Sequence, residues 1–269
     1  MQPVQAPAPP PEPRQAGPTT FLFQGELTQG GWIRGQVPVG TVSAQLGEQA
    51  LSFAADGRFF AAFDRDAGPQ TVLSATLADG TRIESPLTIS PRAWNIENIN
   101  ASPTANVPSA EFTARRRPEL ERIGAAREID TGSSGWRQDF IWPVTGRISG
   151  RFGSQRVYRG EPGSYHSGID VAQPTGTPYV APADGVVVLA AETPFTLEGY
   201  LLIIDHGMGL NSAFLHSSEL LVREGEAVKQ GQTIGRIGAT GRATGPHMHW
   251  GLMWRGLRLD PLLFTGPMP

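Results

Sequence analysis

The sequence predicts a mainly β protein, with a small N-terminal β-sandwich, a short helical connector and a C-terminal β-sheet domain. The 269 residues include 33 Gly and 24 Pro, a load that favours turn-rich β structure over long helices. Short alternating apolar runs, separated by turn residues, fill residues 19–92 and return from residue 140 onward. With only 17% charged residues, the chain lacks the composition of a coiled coil or a helical bundle.

Charge and cysteine content exclude several classes of protein. The formal net charge of −3 lacks the basic excess typical of nucleic-acid binding, so we expect no nucleic-acid partner. The absence of Cys excludes a disulfide scaffold, a thiolate zinc site and a cysteine nucleophile. There is no run of 18 apolar residues, so we expect no membrane span, and no secretory leader is visible.

Residues 1–18 are expected to form a disordered tether. They contain seven prolines and show no apolar periodicity. Such a segment cannot bury enough apolar surface to offset the loss of chain entropy on ordering.

Residues 19–92 have the pattern of a small β-sandwich of six or seven strands. The pairs Asp56–Gly57 and Asp79–Gly80 lie between alternating apolar runs. Such pairs favour hairpins because type I′ turns need positive φ. The segment contains no His and no cluster of catalytic residue types. Its aromatic side chains fit either a buried core or an exposed binding face; they include Trp32, Phe59, Phe60 and Phe63.

Residues 93–139 are predicted to be a connector with short helices. Arg116, Leu120 and Ile123 recur at helical spacing. Pro118 falls inside this stretch and removes a backbone donor, so we expect a broken helix or two short ones. The basic run at residues 115–117 fits a solvated helix face, with a partner-binding patch as the alternative.

All five histidines of the chain lie in residues 140–269, which we predict to be a separate domain. His247 and His249 are one residue apart, and alternate side chains of a strand point to the same face. Both imidazoles would then project into one cleft, where a metal or a shared reaction centre gives the pair a role. A purely structural role is the alternative for the pair.

A second element lies around His166 and Asp170, which are four residues apart. Gly168 between them permits a bend, so that the two side chains can converge on one ion. Neutral imidazole and carboxylate are both good zinc ligands. Three protein ligands leave a fourth position for water, which is the arrangement of a catalytic zinc site.

These motifs resemble those of the lysostaphin-type zinc metallo-endopeptidases, which cleave peptide bonds in bacterial peptidoglycan. His166-x-x-x-Asp170 is followed about 80 residues later by His247-x-His249. The stretch 203–216 resembles the family's middle motif, and residues 238–247 resemble its glycine-rich approach to the last motif. The resemblance covers roughly residues 140–264.

The resemblance implies that His166, Asp170 and His249 bind one zinc ion. It implies that His216 and His247 do not ligate the metal and instead serve the reaction. One of the two is expected to take a proton from water, and the other to stabilise the oxyanion or protonate the leaving amine. Which histidine does which stays open.

The resemblance also bears on fold and on neighbouring residues. It implies an antiparallel β-sheet peptidase domain at residues 140–269, with a zinc groove on its sheet. His206 matches a motif position without a catalytic role, so we expect it to be structural. A tyrosine near the first ligand assists the transition state in some members. Tyr158, Arg159 and Tyr165 lie in that region, and none of them is singled out.

The resemblance implies a zinc-dependent endopeptidase that hydrolyses stem-peptide or cross-link bonds of peptidoglycan, and hence a periplasmic or secreted bacterial protein. One alternative is a non-catalytic cell-wall-binding or hydrolase-activator protein of the same fold. A missing ligand would indicate it, and all five site residues are present. A third hypothesis makes the sandwich an adhesion or carbohydrate-binding module, which requires exposed aromatic side chains.

The N-terminal half has two alternative roles. The sandwich can position the enzyme, by binding the cell wall or a protein partner. Alternatively, it can inhibit the enzyme, by covering the groove through the connector. Because every candidate ligand lies beyond residue 165, we expect residues 139–269 to bind zinc and hydrolyse a small peptide on their own.

Overall fold

The computed structural model describes residues 17–101 and 109–269 and is mainly β, as the sequence predicts. Of the predicted tether, residues 1–16 lie outside the described residues, and only Gly17 and Pro18 are placed. The Pro18 carbonyl accepts a hydrogen bond of 2.7 Å from the Val39 N–H, just before the strand Thr41–Leu46.

Within residues 17–92, seven strands form two antiparallel sheets. Their bounds are β1 Leu22–Gly25, β2 Trp32–Gln36, β3 Thr41–Leu46, β4 Gln49–Ala50, β5 Arg58–Ala62, β6 Gln70–Leu77 and β7 Arg82–Thr88. One sheet has the order β1-β2-β5 and the other the order β4-β3-β6-β7. Every pairing in both sheets is antiparallel.

The aromatic side chains of this region are core residues. Trp32, Phe59, Phe60 and Phe63 are at most 9% exposed. An adhesion or carbohydrate-binding module would need them on the surface, so this burial argues against such a role for the sandwich.

The predicted break in the connector helix is wrong. Helix α1 (Ala110–Arg127) is continuous through Pro118. Proline removes one backbone hydrogen bond, but other contacts hold the helix: Ser109 Oγ accepts a hydrogen bond of 3.0 Å from the Phe112 N–H at its start. Ile123 and Ala126 are buried against the C-terminal sheet, so tertiary packing outweighs the local cost of the proline.

The connector also contributes more than helices. Strand β8 (Ile96–Ile99) pairs in parallel with β10 (Gln155–Tyr158), and a 3-10 turn spans Gly135–Arg137. The basic run is split: Arg117 is 81% exposed, as a solvated face requires, whereas Arg116 is 13% exposed. The connector is therefore built into the C-terminal fold.

The other strands from residue 140 onward and the last helix have the bounds β9 Arg147–Gly150, β11 Glu161–Tyr165, β12 Ile169–Ala172, β13 Pro178–Val180, β14 Gly185–Ala190, β15 Tyr200–Asp205, β16 Leu210–Ser217, β17 Glu219–Leu220, β18 Ala227–Val228, β19 Thr233–Arg236, β20 His247–Trp254, β21 Leu257–Leu259 and α2 Leu262–Thr265. The main sheet has the order β18-β14-β15-β16-β20-β12-β9, with β21 paired to β20, and it is antiparallel throughout. Two small sheets have the orders β13-β19-β17 and β11-β10-β8.

No helix among the described residues is both long and apolar enough to span a membrane.

The two faces of the main sheet have different neighbours. Along β15, Leu202 and Ile204 belong to the large core, whereas Leu201 and Ile203 pack with Ile123 of α1. This alternation follows from the two-residue period of a strand. Helix α1 therefore lies on one face of the sheet, and the large core lies on the other.

The large core continues from the C-terminal sheet into the N-terminal half. The rings of Phe60 and Trp254 have centroids 6.1 Å apart, and those of Trp32 and Phe264 are 5.1 Å apart. The Trp32 Nε1–H donates a hydrogen bond of 2.8 Å to the Leu263 carbonyl. The predicted division between residues 92 and 140 stays a prediction, and one apolar cluster crosses it.

Candidate metal centre

Strand β20 places two of the histidines. His247 and His249 begin this strand, which lies between β16 and β12 in the middle of the main sheet. Strand β12 runs antiparallel to it and brings Asp170 directly opposite His249. The His249 Nδ1 lies 2.8 Å from the Asp170 Oδ1.

His166 completes a group of three. It follows β11 and precedes β12, and its Nε2 lies 3.0 Å from the Asp170 Oδ2. One potential ligand atom from each of His166, Asp170 and His249 lies within 4.8 Å of the others. Two imidazoles and a carboxylate at this separation can hold a metal ion. The convergence expected from the sequence is thus present in the structure.

Two glycines make room for this group. A Cβ at Gly150 would meet the Asp170 Oδ2 and approach the His166 Cε1 to 3.1 Å. A Cβ at Gly168 would lie 2.8 Å from the His249 Nε2 and against the Trp250 carbonyl. Gly168 is therefore needed for space, and it is absent from the glycines with positive φ. Sequence reasoning missed Gly150, although a glycine at a strand position is a signal of close approach.

His216 and His247 lie beside the group of three. Their ring centroids are 4.9 Å apart, and the His216 ring is 6.4 Å from that of His249. The His216 Nδ1 lies 2.8 Å from the Thr240 carbonyl oxygen, and the His247 Nδ1 lies 2.8 Å from the Gly245 carbonyl oxygen. Because a carbonyl only accepts, each Nδ1 donates, and a neutral ring keeps its lone pair on Nε2.

The backbone of His216 directs its ring toward this group. Leu215 pairs with His249 in the β16–β20 register, so simple alternation would point His216 to the opposite face. Its φ of 66° lies in the left-handed region, which is rare for a residue with a side chain and is common at functional sites. The local twist brings the imidazole to the face that carries His249.

Burial and charge contacts shift the pKa values within the group of three in different directions. Burial disfavours the ionised carboxyl of Asp170, but its hydrogen bonds and charge contacts with His166 and His249 outweigh burial and hold its pKa well below the usual range. Burial also opposes the charged form of His166, yet Asp170 raises the pKa of that histidine. For His249 and His216, burial dominates and the pKa is lowered. The His247 Nε2 lies 3.8 Å from the Asp170 Oδ1, on the edge of the same group. A carboxylate ionised at neutral pH is a form that binds cations.

His206 stands apart from these residues. It is fully buried, with its Nδ1 2.8 Å from the Asp184 carbonyl oxygen and its Nε2 2.8 Å from the Ser212 Oγ. Burial lowers its pKa from 6.5 to about 4. These contacts fit the structural role expected for it.

The tyrosines near His166 differ in their surroundings. The Tyr165 ring packs between Phe152 and two arginines, with the Arg65 Cζ 4.7 Å and the Arg258 Cζ 5.7 Å from its centroid. Burial raises the pKa of Tyr165. Tyr158 lies at the end of β10, next to the turn formed by Arg159 and Gly160.

Fold and site together define a class: an antiparallel β-sheet protein with a potential metal centre flanked by two further histidines. Residues 164–261 match Peptidase family M23, and this part of the chain is an M23 domain. The lysostaphin-type resemblance seen in the sequence is therefore confirmed.

Two relatives illustrate the sequence similarity and how much of each protein it covers. Peptidoglycan DD-endopeptidase ShyA of Vibrio cholerae is 40% identical over 126 residues, which are 45% of this chain and 28% of that protein. Murein hydrolase activator NlpD of Escherichia coli is 34% identical over 167 residues, which are 61% of this chain and 40% of that protein. The chain thus spans less than half the length of either relative.

One solved structure matches most of the chain. A crystal structure of a proposed peptidase M23 from Pseudomonas aeruginosa has a TM-score of 0.68 and 27% identity, and the match covers 90% of this chain and 96% of that one. The architecture of both halves therefore recurs in a second protein.

Proposed function

We propose that this protein is a zinc-dependent endopeptidase that hydrolyses peptide bonds of bacterial peptidoglycan, in stem peptides or cross-links. The observation that carries the proposal is the joint presence of the His166, Asp170 and His249 group and two further histidines beside it, each held at Nδ1 by a backbone carbonyl. A structural metal site needs no such flanking pair, whereas a hydrolytic site uses it for proton transfer.

The donor set fits zinc. His166, Asp170 and His249 offer two nitrogen donors and one oxygen donor, a combination found in catalytic zinc sites with an open position. Bound there, zinc supplies Lewis acidity toward the scissile carbonyl and makes water a better nucleophile at neutral pH. The tight packing of Gly150 and Gly168 against these side chains keeps the donors in place.

His216 and His247 are the proposed catalytic residues. Each ring is oriented by a backbone carbonyl at Nδ1, so each presents Nε2 for the reaction. Burial lowers the pKa of His216, which keeps this ring neutral at pH 7 and suits it as the proton acceptor. His247 then serves as the group that stabilises the oxyanion or donates a proton to the leaving amine.

A hydrolase activator is the second candidate. The similarity to Murein hydrolase activator NlpD extends over 61% of this chain, more than the 45% shared with ShyA. An activator of this kind would bind peptidoglycan or a hydrolase through the N-terminal sandwich and would not itself cleave. The complete set of five site residues supports the enzyme.

The proposal includes a location and partners. A protein that acts on peptidoglycan works in the periplasm or outside the cell. Peptidoglycan is the proposed partner, and the sandwich is a candidate surface for a second protein.

Digestion of purified, chemically defined peptidoglycan tests the proposal. The zinc-loaded protein should release peptides whose new amino termini, identified by mass spectrometry, give the bond that is cleaved. The same protein treated with a chelator should release none, and added zinc should restore the release. If the zinc-loaded protein releases nothing but stimulates a separate peptidoglycan hydrolase, the activator is the correct function.

A further inference from the structure

A cavity of about 180 Å³ lies between α1 and the main sheet, beside the group formed by His166, Asp170 and His249. Ser167 and His249 form part of its wall, together with residues of β16, β20 and β21. The helix contributes one face, because the lining residues recur at helical spacing: Arg116, Leu120, Ile123 and Arg127.

At one end of the cavity, charge is balanced within the protein. The Arg116 guanidinium forms two hydrogen bonds of 2.6 Å with the two carboxylate oxygens of Glu198 and a third of 2.9 Å with Glu119. Arg116 is only 13% exposed, so this pair is well shielded from solvent. No further ligand is needed at this end.

At the other end, Arg127 and Arg258 line the cavity with no such balance. Within residues 17–101 and 109–269, neither guanidinium has an ion-pair partner. The Nε of Arg127 is buried and has no hydrogen-bond partner, and Arg258 contacts the Tyr165 ring. Burial and the nearby charge of Arg258 lower the pKa of Arg127, and the charge of Glu198 opposes this only in part.

Two neighbouring cations in a secluded cavity favour an anionic ligand. A buried cation without a partner costs free energy that a bound anion offsets. A guanidinium presents a fork of N–H donors that matches the two oxygens of a carboxylate. Asn211 adds an acceptor, because its side chain is 4% exposed and its Oδ1 has no partner. The ligand therefore combines a carboxylate with a nearby N–H donor, as an amino-acid residue in a peptide does.

We infer that this cavity binds a free carboxylate of the substrate peptide, on the residue next to the bond that is cleaved, with Arg127 and Arg258 as the binding groups. The inference rests on the proposed function, and it follows from the place of His249 in the wall of both sites. The cavity has room for a short acidic group. Stem peptides of peptidoglycan carry such carboxylates beside their cross-links.

The test uses the zinc-loaded full chain and two probes. One is a cross-linked peptide dimer with free diaminopimelate carboxylates, and the other is the same dimer with these groups as carboxamides. The original protein should prefer the acid over the amide by about 10- to 100-fold in KM, the effect of one charged hydrogen-bond pair. Arg127→Gln and Arg258→Gln should each remove this preference, and the change should appear in KM for the acid.

Matched variants separate binding from structure. Arg117→Gln removes a charge from the same helix at an 81% exposed position and should keep the full preference. Arg127→Lys, which keeps the charge without the fork, should restore part of it. Because Arg127 has no ion-pair partner among the described residues, Arg127→Gln should unfold at the same temperature as the original protein or higher.

Failure of this inference is distinguishable from failure of the proposed function. Cleavage of both dimers with equal KM would overturn the carboxylate site and leave the endopeptidase intact. If neither dimer is cleaved, calorimetric titration of both dimers decides: a preference for the acid that is lost in Arg127→Gln supports the site without the enzyme. Displacement by millimolar acetate or phosphate, with no preference between the dimers, would identify a site for free anions and overturn the inference.

Discussion

Asp170 and His249 lie directly opposite each other on neighbouring strands, and the carboxylate of Asp170 contacts His249 and His166 with different oxygens. The carboxylate therefore joins a potential ligand on β20 to a potential ligand in the loop before β12. A single side chain organises all three potential ligands.

Replacement of Asp170 should accordingly empty the metal site. Asp170→Ala removes one donor and the charge that orients two imidazoles, so zinc affinity should fall by more than about 100-fold, beyond the effect of losing an outer partner. Zinc per chain, measured by atomic emission after dialysis, checks this. Asp184→Ala removes a carboxylate outside the group and should keep the zinc.

His216 and His247 should behave differently from the proposed ligands. His216→Ala and His247→Ala should each keep one zinc per chain and lose about 10²- to 10⁴-fold in kcat, because each supplies proton transfer or oxyanion stabilisation. Zinc content and cleavage rate are measured on the same preparation. Loss of zinc in His216→Ala would show that the proposed division between ligands and catalytic residues is wrong.

The glycines beside the metal group give a prediction that the histidine motifs do not. Gly150→Ala should lower zinc affinity, because its Cβ would displace the Asp170 carboxylate and crowd His166. Gly68→Ala is a suitable control. A Cβ at this position would meet no atom within 4 Å, and the φ of Gly68 lies outside the positive range that disfavours side chains. Equal zinc affinities for the two variants would contradict the proposed role of this close packing.

Some features of this site can be predicted from the sequence, and others depend on the fold. The alternation of a strand is local, so the order of residues is sufficient to put His247 and His249 on one face. Which strands become neighbours is a long-range property, and therefore the contact of Gly150 with Asp170 could not be predicted. Arg127 and Arg258 converge for the same reason, through a helix and a strand that are far apart in sequence. The positive φ of His216 depends on the surrounding sheet, and residue type gives no indication of it.

His206 should make folding stability depend on pH. Its folded-state pKa of about 4 lies below the ordinary 6.5, so the unfolded state binds the proton more readily between these values. The contribution of this group is present above pH 6.5 and is lost as the pH falls toward 4, by about 3 kcal/mol in total. Chemical unfolding of the original protein and His206→Gln at pH 7.5 and 5 measures it. The variant should lose less stability on acidification, and equal losses would refute the assignment.

The apolar core that crosses from the N-terminal sheets into the main sheet predicts one cooperative unit. Phe60 is 1% exposed and contacts Trp254 and Phe264, so Phe60→Ala leaves a cavity between the two halves. The expected loss is about 3–5 kcal/mol in the free energy of unfolding. Leu22→Ala, at a position that is 57% exposed, should cost far less.

Calorimetry decides whether the halves unfold together. With a shared core, a single heat-absorption peak should move as a whole in Phe60→Ala, and Trp fluorescence and circular dichroism should report the same midpoint. Residues 139–269 alone would expose Trp254 and Phe264 to water, so this fragment should be much less stable than the full chain even though it holds every candidate ligand. Two separate heat-absorption peaks, of which Phe60→Ala moves only one, would instead mean that the sandwich is an independent domain. The fragment would then keep its zinc and its activity on a soluble peptide.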